Sequence, residues 1–172
     1  MTIHSGHPFA DPEPDPIRRF RGRLGGAVTL WTAGESGSRA GLTISSLMVA
    51  NGETATILAL VDPDSDFLET VRETGRCVVQ GLSWRDRALA EMFAGTAPAP
   101  GGVFTHADFE QTPWGPRLAS ATSWAYAVPL GEQVVGWSVL LSCRVEEAAV
   151  RDETEPALGH RRGRFFQLGS EE

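Results

Sequence analysis

The chain has 172 residues, 41% of them hydrophobic, with a formal net charge of -7 at pH 7 and a sequence pI near 5.1. That length suits a single domain with a sizeable core, and the acidic balance argues against a nucleic-acid partner, whose non-specific binding rests on basic surface. All 15 basic residues are arginine, which excludes a Walker A loop, a pyridoxal-phosphate Schiff base and any lysine nucleophile.

No apolar run is long enough to span a bilayer, and the N-terminus lacks the basic-then-apolar order of a signal peptide. The expectation is a cytoplasmic protein with no membrane partner. Residues 1–16 repeat X-Pro pairs, which favour extended backbone and remove donors. They read as a disordered tail, with His4 and His7 incidental, ahead of a single domain over 17–172.

Residues 17–24 carry Arg18, Arg19, Arg21 and Arg23, a short amphipathic turn or helix whose cluster could serve a phosphate locally. A strand over 27–32, a glycine-rich turn at 34–38 and the next strand form a hairpin. No G-x-G-x-x-G precedes a helix, so no dinucleotide fingerprint is present.

The stretch 39–52, R-A-G-L-T-I-S-S-L-M-V-A-N-G, organises the chain. Ala40 and Gly41 are small enough for backbone to approach a ligand. Leu42 and Ile44 alternate with Thr43 and Ser45, the period of a strand over 40–47 with one packed and one polar face. With Ser46, three short hydroxyls offer uncharged donors and acceptors. Two readings follow: a solvated edge face, or a surface for a polar heterocycle.

Residues 54–61 are nearly all apolar, as in a strand buried on both faces. A helix then starts at Asp64 or Ser65, with Phe67, Leu68 and Val71 on one face, and stops at Gly75. Residues 76–82 form another buried strand. Ser83 and Asp86 resemble a capping box, with aspartate for the usual glutamate, ahead of a helix through Leu89, Met92 and Phe93. Residues 103–116 look irregular, with a turn at Trp114, Gly115 and Pro116. Runs 118–130 and 134–148 read as a long hairpin turning at Gly131 and Glu132. Residues 151–156 are a charged loop, and the terminal stretch is G-H-R-R-G-R-F-F-Q-L.

Cys77 and Cys143 sit in apolar runs and read as small buried hydrophobes. With no C-x-x-C or H-E-x-x-H, no metal site is expected. Many strands, two or three short helices and no βαβ alternation indicate a mainly β barrel decorated by helices.

Four stretches, in this order, resemble the flavin reductase-like family, whose fold is a Greek-key split β-barrel that binds FMN. A-G-L-T-I-S-S-L at 40–47 is similar to its A-G-(L/M)-T-V-S-S-F strand. The strand at 54–61 followed by Ser65 looks like its next strand and serine turn. L-A-E-M-F-A-G at 89–95 is similar to L-A-x-x-F-A-G, and H-R-R-G-R-F at 160–165 to H-R-G-R-(Y/F). The resemblance covers about 20–168. It implies a homodimer that passes hydride from NADH or NADPH to FMN, with FAD as an alternative flavin, and that could supply reduced flavin to a partner monooxygenase.

The resemblance also implies cofactor contacts from Thr43, Ile44, Ser45, Ser46, Leu60, Val61, Ser65, His160, Arg162 and Arg164. It assigns no catalytic residue, since hydride transfer to flavin needs no protein acid or base. The phosphate would meet the helix start at Ser65, where N–H groups point outward. Asp62, Asp64 and Asp66 crowd that turn, so Arg39, Arg76 or the Arg161–Arg164 cluster would have to screen it. Where many members carry Gly-Asp-His, thought to receive nicotinamide, this chain reads Val135, Gly136, Trp137, Ser138. Rival expectations are a non-catalytic flavin carrier of the same fold, a barrel holding a deazaflavin or haem, and a barrel without flavin that acts as a dimeric interaction protein.

Overall fold

A computed structural model describes residues 15–169. The expected tail lies outside the described residues, apart from Asp15 and Pro16, which start the first helix. In chain order the elements are α1 (Pro16–Leu24), β1 (Gly26–Ala27), β2 (Thr29–Ala33), β3 (Ala40–Ile44), β4 (Leu47–Ala50), β5 (Thr56–Val61), α2 (Asp66–Thr74) and β6 (Cys77–Gly81). There follow α3 (Arg87–Phe93), β7 (Phe109–Thr112), β8 (Gly115–Leu118), β9 (Ser123–Val135), β10 (Ser138–Val150), β11 (Ala157–Arg161) and β12 (Arg164–Leu168).

Seven strands form one sheet in the order β3-β2-β6-β9-β10-β5-β4, and β1-β11-β12 form a smaller one. All pairings are antiparallel. The two edge strands of the large sheet, β3 and β4, are consecutive in the chain with only Ser45 and Ser46 between them. Laid flat, those edges would stand roughly 29 Å apart at the usual strand spacing. A two-residue link spans only roughly 11 Å at full extension. The sheet therefore curls until its edges meet, and Ser45 and Ser46 are the seam of a split barrel. Leu60 N–H donates to Ser46 O at 3.0 Å, which carries the β4–β5 ladder up to the seam.

This corrects the expected continuous strand over 40–47. β3 stops at Ile44, whose carbonyl accepts from the buried Thr29 hydroxyl (2.7 Å), itself an acceptor for Trp31 Nε1 (2.9 Å). Local alternation cannot reveal a break that barrel closure imposes.

The barrel interior holds Trp31, Ile44, Ile57, Val61, Leu141 and Cys143, and α2 inserts Phe67, Leu68 and Val71 into the same cluster. A second cluster, with Leu30, Leu89, Phe93 and Leu158, lies between the outer side of β2 and α3. β2 is thus buried throughout. β5 is not, contrary to the expectation for 54–61: Ile57, Ala59 and Val61 point inward, while Leu60 is 39% exposed. Buried Gln80 joins the layers, donating to Thr32 Oγ1 (3.0 Å) and accepting Leu118 N–H (2.6 Å).

Two further expectations are corrected. The long hairpin turns at Gly136 and Trp137, pairing Val135 with Ser138, rather than at Gly131 and Glu132. Gly136 holds φ 58 there, and β-bulges after Ser142 and Val145 set the register. Residues 103–116 contain the β7–β8 hairpin, which pairs Phe109 with Leu118. The local signals at both helix termini hold: Ser65 caps α2, Gly75 ends it in the left-handed region, and Ser83 and Asp86 form the capping box.

Candidate functional site

The seam brings several of the expected residues together. Ser45 and Ser46 are exposed, and neither hydroxyl has a protein partner among the described residues. Leu60 lies beside Ser46 in the β4–β5 ladder, and β5 leads on to Ser65 at the start of α2. On the other side, a Cβ built on Gly26 would stand 3.5 Å from Ser45 O, and Gly26 pairs with His160. A continuous ridge thus runs from the α2 N-terminus through Leu60, Ser46 and Ser45 to Gly26 and His160.

Other expected residues offer less. Ile44 and Val61 are 4% and 1% exposed, within the core, so only their backbones face a ligand. The Thr43 hydroxyl donates to Ala90 O on α3 at 2.7 Å, which commits it to packing. Gly41 does not open a path for a ligand: an added Cβ would lie 2.6 Å from the Phe93 ring, so the glycine exists to seat α3. Arg39 donates to Gln111 Oε1 (3.1 Å) and lies over Phe104, away from the ridge.

The α2 turn engages several of its own polar groups. Asp62 Oδ1 accepts Asp64 N–H (2.9 Å), and Ser65 Oγ accepts Leu68 N–H (3.3 Å) while donating to Asp62 O (2.8 Å). At the opposite end, His160 is half-buried against Phe165. Burial, and then the positive charge of Arg21, hold its imidazole below the ordinary value of 6.5, so it is neutral at pH 7.

A separate cavity of 570 Å³ opens at the barrel end away from α2, lined by Thr29, Leu47, Ile57, Ser123, Trp124 and Ala157 among others. None of the expected residues lines it; Leu47, beside Ser46, is its link to the seam. Sequence reading missed it because its walls come from β2, β4, β5, β9 and β11, which only barrel closure brings together. Trp124 stacks on Tyr126 with ring centroids 4.4 Å apart, and the Arg117 guanidinium lies over the Trp124 ring at 4.7 Å. The two cysteines are buried, and contact with Cys143 followed by burial pushes the Cys77 thiol well up, so neither is a nucleophile. No cluster of metal-ligating residues occurs among the described residues, and no helix there is long and apolar enough to cross a membrane.

The model of the flavin reductase-like domain matches residues 21–169. The chain belongs to that family. An FMN reductase (NADH) named RutF from Bradyrhizobium diazoefficiens is 29% identical over 136 residues, 78% of this chain and 75% of that protein. The native-state structure of flavin reductase PheA2 superposes with a TM-score of 0.79 at 21% identity, covering 90% of this chain and 97% of its own. BorF, the flavin reductase component of a bacterial two-component tryptophan halogenase, gives 0.77 at 20%, covering 88% and 96%. The split-barrel expectation is therefore met by both the sheet closure and these likenesses.

Proposed function

We propose that this chain is an oxidoreductase that reduces FMN with NADH and holds the flavin along the Ser45–Ser46 seam. The match across residues 21–169 carries the reading, and the name of the Bradyrhizobium relative supports FMN and NADH as the pair. The residues fit a flavin. Ser45 and Ser46 present uncommitted hydroxyls beside exposed backbone, suited to a heterocycle rich in carbonyl and ring-nitrogen groups. Bound flavin supplies the two-electron chemistry. The protein's part is to orient it: the seam offers neutral hydrogen bonds, Leu60 an apolar contact, and neutral His160 a ring nitrogen at the ridge end.

Mixing the purified protein with FMN and NADH and following loss of NADH absorbance tests this; no NADH loss with FMN or FAD, and none with NADPH, would refute it. A non-catalytic flavin carrier is the second reading, favoured by the Gly136–Trp137 turn, which has neither an acid nor a histidine and leaves Trp137 84% exposed. Flavin binding without reduction would select it. The halogenase component among the similar structures supports release of reduced flavin to a partner oxygenase.

The outer face of β4, β5 and β10 supports a homodimer. Met48 is 65% exposed beside Leu58, and Leu60 lies beside Leu140 in register, an apolar patch next to the seam that a second copy would cover. Light scattering should give a dimer, and Met48→Glu with Leu60→Glu should give a monomer; a monomeric native chain refutes the assembly.

A further inference from the structure

At the far end of the ridge, beyond His160, α1 and the β11–β12 hairpin enclose a cleft of 760 Å³. Arg19, Arg23, Arg161, Arg162 and Arg164 line it, with Phe165 and Phe166 as its apolar wall. In a chain of net charge -7, five guanidinium groups share one concavity. The ion pairs among the described residues engage Arg72, Arg85, Arg117 and Arg144. None of the cleft arginines has a carboxylate partner there. Crowded like charges without counter-ions are unfavourable unless an anion joins them.

The backbone is arranged around these side chains. Arg162 has φ 54 and is the only non-glycine residue at positive φ among the described residues; Gly163 follows at φ 76. Arg161 pairs with Arg164 across this two-residue turn, a geometry that favours Asn-Gly. An arginine therefore stands where the turn itself would prefer asparagine. Arg162 N–H donates to Gly22 O (2.8 Å) and Arg161 Nε to Arg23 O (2.8 Å). Those bonds fix the hairpin on α1. They also occupy carbonyls at the helix C-terminus, whose negative dipole end would otherwise repel an anion.

We propose that this cleft binds the phosphomonoester of a nucleotide, the guanidinium forks taking its oxygens and Phe165 and Phe166 flanking its organic part. Guanidinium geometry matches phosphate in paired hydrogen bonds, and the volume suits a nucleotide-sized ligand. The inference rests on the flavin reductase reading for the two sources considered, the 5′-phosphate of FMN and the 2′-phosphate of NADPH. It moves the phosphate from the acidic α2 turn to the opposite end of the ridge.

Calorimetric titration of FMN, riboflavin, NADPH, NADH and adenosine 2′,5′-bisphosphate into the wild type, Arg162→Asn and the Arg162→Asn/Arg164→Gln pair tests it. Asparagine suits the turn, so folding is retained, while the charge is lost. Loss of about tenfold in FMN affinity, with riboflavin unchanged, supports the proposal with the flavin phosphate as occupant. The same loss for NADPH and the bisphosphate, with NADH unchanged, supports it with the dinucleotide as occupant. Unchanged FMN-to-riboflavin and NADPH-to-NADH ratios in folded variants overturn it. Failure of the function reading is distinguishable: the wild type would then reduce no flavin, whatever the titrations show.

Discussion

The two ends of the seam ridge dispose of their polar groups in opposite ways. At the α2 end, Asp62 accepts the N–H of Asp64 just ahead of the helix and Ser65 caps the N–H of Leu68 in its first turn. At the β11–β12 end, the five arginines of the cleft stand without any carboxylate partner among the described residues, beside a hairpin whose backbone tolerates a strained arginine. Between them, the Ser45 and Ser46 hydroxyls are also uncommitted. A polar residue signals a ligand only when the fold has left it without a partner. By that measure Ser65 serves as a helix cap, and we propose that a ligand meets the seam and the arginine hairpin instead.

The strongest way to break this contrast is at its centre. Replacing Ser45 and Ser46 together with valine removes two hydrogen-bonding groups and keeps the backbone compatible with a barrel seam. Each neutral hydrogen bond is worth ~1 kcal/mol net, so affinity for flavin should fall by about tenfold or more. FMN and riboflavin should fall together, since neither hydroxyl meets the phosphate. Quenching of flavin fluorescence reads both; undiminished affinity in a folded variant would make the seam a purely structural joint.

A smaller effect is expected at the α2 end. Ser65→Ala removes the acceptor for Leu68 N–H, and losing a cap costs ~1 kcal/mol. For a domain of this size that lowers Tm by roughly 2–4 °C. The ratio of FMN to riboflavin affinity should not move. A ratio that collapses would return the phosphate to this helix and reverse the comparison.

What the sequence made legible was mostly local. Ser65, Gly75 and the Ser83–Asp86 box follow from capping chemistry within a few residues, and the structure bears them out. The Ser45–Ser46 break was hidden because a strand and a seam can share the same alternation; only the pairing of β3 and β4 at opposite sheet edges decides between them. The hairpin turn was misplaced for a related reason. Gly131 and Gly136 are equally plausible turn glycines in isolation, and the bulges in β10 select the second. Leu60 was expected to be buried because its neighbours are apolar, but no element of the described chain covers the outer face of β5. The arginine hairpin was visible as composition, whereas its missing carboxylates and the positive φ of Arg162 are facts of the fold alone.

The last and smallest effect probes His160, which stands between the seam and the arginine cleft. Burial first, and Arg21 second, lower its pKa in the folded chain. The unfolded chain, with an ordinary imidazole, binds a proton there at a higher pH than the folded one does. As pH falls through the ordinary value of 6.5, protons are taken up by the unfolded state in excess, and stability declines. Above that value the two states carry the same neutral ring, and the histidine adds no pH dependence. His160→Asn removes only this contribution, so urea midpoints of the two proteins should run parallel near neutrality. They should then converge, or cross in favour of the variant, as the solution is acidified. Midpoints that stay parallel throughout would mean that Arg21 and burial do not act on His160 in solution.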